Sequence, residues 1–460
     1  LELGKIIIPD YVQFLKDMKQ WILEREWSGS KSKEYATNIR FQMGDNYDES
    51  YFRAEFDFMV KNLEMYNSFA PLMDGNTVTG IKSRPRGIMC PNESLCGVIT
   101  WMQQLAFIIF KYNYPEFVHA ENSQDFWSRT NEEISSLEDP ICYSLDGGSH
   151  DSHQHHSLIK AVDHQIWSFL KPEVEKFLVK FGAKNPKRLL GDIYKILLGN
   201  KSKVFLKNRN GKSYGSVTIN GTVFSGSPTL TTFGNTMRVI YSHKFALKYA
   251  NIPNSSYVLR VAGDDAILWV ERKYKTSLEQ AYKMCFASNK KDKCHGLGQV
   301  MEWTQSEKYR AEFCSKILIV GDDMSQAQWC RKPESVLYKG HRYVGTEEVF
   351  KNPENYSLAW ADSLLRETQG PIYYQLGEIR RLMSSKADLL EIKKKQSIYC
   401  KNDFNINLVN SYFREFAFWS NTSEENIDTF FEILVRVVAK GERDGKIDIG
   451  LILPDPSTVR

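Results

Sequence analysis

Apolar residues in this chain fall into two kinds of run: short blocks rich in β-branched residues, and longer stretches in which they recur every third or fourth position. The first kind predicts strands and the second predicts helices. The best-defined blocks are Val258-Leu-Arg-Val261 and Ala266-Ile-Leu-Trp-Val270, which flank Gly263-Asp264-Asp265. A Gly-Asp turn between two such blocks predicts a β-hairpin with two carboxylates at a rigid, partly exposed tip. Adjacent carboxylates repel, so a hard cation at the tip is the simplest reason for the pair. The triplet alone is weak, because it arises by chance in roughly one chain in ten of this length. A second copy, Gly321-Asp322-Asp323, follows the block Ile317-Leu-Ile-Val320, but Met324-Ser-Gln-Ala-Gln328 behind it has no strand pattern. That copy reads as a surface turn.

Ile141-Cys-Tyr-Ser-Leu145 predicts another strand, ending in Asp146-Gly-Gly-Ser-His-Asp151-Ser-His153. Beyond it Leu158, Val162, Ile166 and Leu170 recur every four residues and predict a helix. A carboxylate at a strand end before a Gly-rich turn suits a metal ligand or phosphate chemistry in α/β proteins. Asp151 would equally favour the dipole of the helix that follows. Residues 204–224 alternate around Asn210-Gly211 and Asn220-Gly221 and predict a small β-lobe. It leads into Ser225-Gly-Ser-Pro-Thr-Leu-Thr231-Thr-Phe-Gly-Asn235, after which Phe233, Met237, Ile240 and Phe245 mark a helix. Ser225, Thr231 and Asn235 carry neutral hydrogen-bonding groups suited to a sugar hydroxyl, or to capping that helix. Helical patterns also cover residues 11–27 and 51–66. Others at 379–398 and 427–438, with charged faces, predict a mainly helical C-terminal lobe.

At 460 residues the chain can bury a large core, divided into about two to four lobes. Its 42% apolar, 25% charged and 13% aromatic content is that of an ordered globular protein. The net charge of +4 is too small to name a partner, so local basic patches matter more than the total. One such patch is Lys82, Arg84 and Arg86, which alternate and would share one side of an extended segment. Guanidinium groups grip phosphate oxygens in forked pairs, so the row suits a triphosphate, although a solvated basic loop has the same composition. The eight cysteines include no Cys-x-x-Cys pair, which predicts a reducing compartment and argues against structural zinc. The most apolar run, residues 97–110, is interrupted by Gln103-Gln104 and falls short of the about 20 residues that span a bilayer. It reads as a core helix. No signal peptide is visible and the chain starts at Leu1, which predicts a fragment or a processed product.

Taken in order, the cationic row, the strand with two spaced aspartates, the hydroxyl-rich loop with its helix and the Gly-Asp-Asp hairpin resemble a known family. They are similar to the fingers and palm of RNA-dependent RNA polymerases from positive-strand RNA viruses, and closest to the tombusvirus-like group. Leu145 to His153 resembles that group's first palm motif, down to the histidine two residues after the second aspartate. Ser225-Gly226 to Asn235-Thr236 resembles the second motif, Gly263-Asp264-Asp265 the third, and Glu312-Phe-Cys314 the strand beneath the primer end. The resemblance covers roughly residues 80 to 320.

That resemblance implies an α+β, right-hand polymerase fold with fingers, a palm of antiparallel sheet flanked by helices, and a mainly helical thumb. The fingers would occupy residues 1–140, which include the basic segment, and the β-rich insertion 171–224. The palm would occupy 141–170 and 225–320, and the thumb 321–460. It implies an RNA-dependent RNA polymerase, a nucleotidyltransferase that replicates a viral genome with two Mg2+ or Mn2+ ions. Asp146 and Asp264 would hold the ions, with Asp265 in support. Asp151, Ser225, Thr231 and Asn235 would recognise the ribose 2′-hydroxyl, and Lys82, Arg84 and Arg86 the triphosphate. Gly226, Cys314 and Lys316 would contact RNA and primer. The implied partners are template and product RNA, ribonucleoside triphosphates, and viral or host replication proteins. The implied location is the host cytoplasm at membrane-associated replication complexes, with no transmembrane segment in this chain. Two other readings stay open: a catalytically silent RNA-binding scaffold, and a metal-dependent phosphohydrolase built on the cluster His150, His153, His155, His156 and His164.

Overall fold

A computed structural model of the chain describes residues 6–7, 65–69, 76–77, 80–81, 87–91, 93–119, 123–148, 150–180, 185–197, 202–207, 212–219, 223, 230–287, 296–320 and 327–331. The expectations for residues 11–27, 379–398 and 427–438, for Lys82, Arg84, Arg86, Ser225 and Gly226, and for the second Gly-Asp-Asp triplet lie outside them. The chain packs as two compact units. Leu1–Ala70, Arg86–Ala120 and Leu145–Thr304 form the first, and Pro71–Pro85, Glu121–Ser144 and Gln305–Arg460 the second.

The described chain begins with β1 (Met65–Phe69), β2 (Asn76–Thr77), β3 (Gly80–Ile81) and β4 (Gly87–Pro91), followed by helix α1 (Glu93–Asn113). Met65 and Tyr66, placed at the end of a helical pattern by periodicity, are strand residues here. Met102, Leu105, Ala106, Ile109 and Phe110 of α1 are all buried. Their spacing of three and four residues gives one apolar stripe, so the expected core helix is present. After α2 (Ser123–Ser135) and β5 (Pro140–Gly147) come α3 (His156–Ala161), α4 (Asp163–Lys180) and α5 (Pro186–Leu197). The apolar repeat predicted a single helix here. The structure has two, meeting at Val162, with Val162, Ile166 and Leu170 buried and Leu158 half-buried.

Strands β6 (Ser202–Lys207) and β7 (Ser213–Ile219) pair antiparallel, as the turn residues predicted. They belong to a four-stranded sheet of order β4-β1-β6-β7, in which β1 runs antiparallel to β4 and parallel to β6.

The central sheet of the first unit takes its strands from a wider span of sequence. Helix α6 (Asn235–Tyr249), β8 (Tyr257–Ala262), β9 (Asp265–Glu271), α7 (Lys275–Cys285) and β10 (Met301–Glu307) follow β5 in the chain. The strand order is β10-β5-β9-β8. Numbered as they occur, the strands run fourth, first, third, second, with α6 between the first and second and α7 between the third and fourth. That is the split β-α-β plan, in which each crossover skips one strand. Phe233, Met237 and Ile240 of the α6 region are buried as predicted, but Phe245 is 53% exposed. Five steps of about 100° carry position 245 off the face, which buried Leu247 occupies instead.

In the second unit β11 (Glu312–Phe313), β12 (Lys316–Val320) and β13 (Ala327–Arg331) form an antiparallel sheet. Cys314 and Ser315 have φ of 52° and 59°, both left-handed, as a two-residue I′ turn between paired Phe313 and Lys316 requires. Strand β13 corrects the reading that residues 324–328 have no strand after the second triplet, since Ala327 and Gln328 pair with Val320 and Ile319, so an antiparallel pair flanks that triplet as well as the first. Its composition is poor in β-branched residues. The position is fixed by Trp329, whose ring lies 5.6 Å from Phe126 of α2 and 6.1 Å from Phe313. Among the described residues, no helix is long and apolar enough to cross a membrane.

Candidate active site

Strands β8 and β9 pair from Tyr257↔Val270 to Ala262↔Asp265, so Gly263 and Asp264 are the two central residues of a tight turn. Gly263 has φ +70°, whereas Asp264 is not left-handed, which is the pattern of a type II′ turn. Only glycine takes that first position without strain. Val258, Leu259 and Val261 on one strand, and Ala266 to Val270 on the other, are buried, so the turn stands on a packed base. Asp264 is exposed and Asp265 half-buried. Strand β5 is the neighbour of β9. Asp146 is exposed between buried Leu145 and Gly147, as strand alternation requires. Asp146 and Asp265 thus lie on the neighbouring strands β5 and β9, and Asp264 in the turn that leads from β8 into β9. Among the described residues, no group of three or more His, Cys, Asp or Glu side chains is gathered so as to hold a metal ion.

After β5 the chain folds back in a 3-10 turn, His150–His153, which carries Asp151. A Cβ on Gly147 would sit 2.5 Å from His150 Nδ1, so this close return needs glycine. Gly148 N–H donates to Val300 O at 3.1 Å and His153 Nδ1 lies 3.0 Å from Gly148 O, fixing the turn. Across from it Asn235, first residue of α6, donates from Nδ2 to Asp151 Oδ1 at 3.0 Å. These two predicted sugar-reading residues are 84 positions apart in the chain and meet in the fold. Thr231 is half-buried in the π-helical turn Leu230–Gly234 that leads into Asn235. Cys314 and Lys316, half-buried, belong to the second unit.

Sequence reasoning missed the residue beside Asn235. Gly263 N–H donates to Thr236 Oγ1 at 2.9 Å, and that hydroxyl donates to Thr232 O at 2.7 Å. His119 Nε2 lies 2.5 Å from the same hydroxyl and 3.2 Å from Gly263 N. The His119 ring stacks on Phe107 at 5.3 Å. Consecutive residues on the first turn of α6 therefore tie down both the loop after β5 and the turn after β8. Thr236 could have been suspected from its place next to Asn235. His119 is a lone histidine far away in the chain, and no local pattern marks it.

Deeper in, Arg238 is fully buried and surrounded by acceptors. One guanidinium nitrogen reaches both oxygens of buried Asp163, first residue of α4, at 2.6 Å. Its Nε donates to Gln154 Oε1 at 2.8 Å, and its other terminal nitrogen to Asn235 Oδ1 at 2.5 Å. Gln154 in turn donates to His150 O at 3.1 Å and accepts from Gln299 at 3.3 Å. Burial pushes the Asp163 carboxyl up and Arg238 pulls it back. The guanidinium cannot shed its proton in a protein, so Asp163 is held as its counter-ion.

The histidine-rich segment is internal only at its start, since His155 and His164 are half-buried and His156 is exposed. His150 and His153 are buried. Burial, reinforced by Arg238, His153 and His243, pushes His150 down to about 3, which keeps its imidazole neutral. The His156 and His164 rings meet edge to face at 6.2 Å.

No protein-family model matches the chain, and no curated protein matches it.

Proposed function

We propose that this chain synthesises RNA on an RNA template, joining ribonucleoside triphosphates by nucleotidyl transfer. The observation that carries this reading is the hydrogen bond from Asn235 to Asp151. Two side chains suited to a ribose hydroxyl, drawn from separate segments, meet one residue away from the Thr236 contact that holds Gly263. The chemistry proposed for the carboxylates and for the sugar readers thus converges on one helix turn.

In this reading the central sheet is the polymerase palm. Asp146 and Asp264 are the carboxylates that would hold two divalent ions, with Asp265 supporting them from the first position of β9. Magnesium, or manganese in its place, needs only one or two protein carboxylates because water and substrate phosphates fill the remaining positions. Exposed oxygen donors on neighbouring strands suit that requirement. When bound, the ions would activate the primer 3′-hydroxyl and neutralise the departing pyrophosphate. The 3′-oxygen forms its bond to the α-phosphorus as the bond from that phosphorus to pyrophosphate breaks. Asp151 accepts the ribose 2′-hydroxyl, and Asn235 holds Asp151 in place. Lys82, Arg84 and Arg86 bind the triphosphate, and Cys314 and Lys316 support the primer end. Template RNA, product RNA and other viral or host replication proteins are the partners, at membrane-associated complexes in the host cytoplasm.

The test is incorporation of labelled ribonucleotides on single-stranded RNA with magnesium or manganese, comparing the intact chain with Asp264→Asn and Asp322→Asn. Synthesis lost in the first variant and kept in the second is the expected result. Equal activity in all three would sink the assignment of Asp264, and RNA binding without any synthesis would favour the scaffold reading.

A further inference from the structure

Arg238 is linked to both halves of the sugar-reading pair. Its contact to Asn235 is direct. Its contact to Gln154 supports the main chain of His150, the residue before Asp151, in the 3-10 turn. A guanidinium has donors only, so the atom of Asn235 that faces Arg238 must be Oδ1. The amide nitrogen is then forced toward Asp151, where an ionised carboxylate can only accept. A flipped Asn235 would set oxygen against oxygen at Asp151 and nitrogen against nitrogen at Arg238. The direction of the whole chain, from Asp163 through Arg238 and Asn235 to Asp151, follows from the one fixed charge at its centre.

A buried Arg–Asp pair is a weak source of stability, because apolar residues of similar volume fold as well or better. Its presence here calls for another role. Asp151 is half-buried while Asn235, Arg238, Asp163 and Gln154 are all buried. The network therefore has one end open to a ligand, and that end is an acceptor.

We infer that Arg238, anchored by Asp163 and Gln154, is a positioning residue for sugar specificity, holding Asn235 and Asp151 in the one orientation that accepts a 2′-hydroxyl. This rests on the polymerase reading for the identity of the ligand, a ribonucleoside triphosphate. Arg238 does not touch the nucleotide. It acts through Asn235 and through the turn that carries Asp151.

The test uses the full chain and the double variant Arg238→Met/Asp163→Leu, which removes both charges together and leaves apolar groups of similar size. A milder variant, Gln154→Met, removes one anchor of Arg238 only. The readout is the ratio of kcat/KM for ATP to that for 2′-deoxyATP on an RNA template, with thermal unfolding of each protein as control. The double variant is expected to lose about tenfold to a hundredfold of the preference for ATP, mostly through a higher KM for ATP, the loss expected of one charge-assisted hydrogen bond. Its turnover of 2′-deoxyATP should stay within about threefold of the parent, since no 2′-hydroxyl contact is at stake. Gln154→Met is expected to lose about threefold. Equilibrium binding of ATP and 2′-deoxyATP is measured in the same proteins, so that a failure to polymerise is told apart from a failure of the inference. A parent that discriminates in binding but synthesises nothing would count against the polymerase reading alone. An unchanged ATP preference in a double variant that still unfolds cooperatively would overturn the role given to Arg238. If the double variant does not fold, an unchanged preference in Gln154→Met does the same.

Discussion

Arg238 and Asp163 are 0% and 1% exposed and joined to each other, whereas Asp146 and Asp264 stand exposed at a strand end and a turn tip. Both groups belong to the first unit, and α6 serves both, through Asn235 and Arg238 on one side and Thr236 on the other. The buried group has its charges matched within the protein, so it can fix orientation but has nothing left for a ligand except through its outermost member, Asp151. The exposed group stands at the surface, where the proposed function would have it take up and release cations.

The contrast can be broken first from the inside. Asp163→Asn strips Arg238 of its counter-ion and is expected to destabilise the protein by about 3–5 kcal/mol in urea unfolding, whereas Arg238→Met/Asp163→Leu recovers most of that loss. A single variant as stable as the parent would mean that the pair is not the centre of the network. From the outside the outcome reverses. Asp264→Asn should lower RNA synthesis by at least about a hundredfold, equivalent to about 2.7 kcal/mol, while shifting the melting temperature by less than about 2 °C. Loss of fold and activity together would erase the distinction between the two groups.

Acid sharpens the same comparison. His150 and His243 are both pushed down to about 3, His150 by burial with the Arg238 charge beside it, and His243 by burial. Because the folded values lie below the unfolded value of about 6.5, the unfolded chain takes up protons first as pH falls. Stability is therefore complete above about pH 6.5 and declines below it, toward pH 3, by about 1.4 kcal/mol per histidine for each pH unit. Urea midpoints at about pH 7 and about pH 5 measure the slope, and His150→Gln should reduce it by about half. The smallest effect falls at the link to the turn. Thr236→Val removes the nearer of two acceptors for Gly263 N–H and should cost about 1 kcal/mol, seen as roughly fivefold faster amide exchange at Gly263.

The hairpin was legible in the sequence because strand pattern and turn chemistry agreed. β-Branched blocks flank a glycine that only a left-handed turn position requires, and the register Ala262↔Asp265 follows. Asp151 and Asn235 were legible as candidates because their chemistry suits a hydroxyl, but their contact across 84 residues was not, since periodicity carries no long-range information. Arg238 and Asp163 gave no local signal. Each sits in a helix pattern where a charged residue is ordinarily solvated, and only the packing of α4 against the start of α6 brings them together. Strand β13 was missed for a related reason: its place is set by Trp329 against Phe126 and Phe313 rather than by its own propensity.

The central claim is that synthesis is directed by a template. The most direct measurement is extension on an RNA template of defined sequence with one of the four ribonucleotides withheld. Products that stop where the template first requires the missing nucleotide, and that lengthen when it is restored, are the predicted result. Products whose lengths ignore the template, or hydrolysis of nucleotides without products, would contradict it.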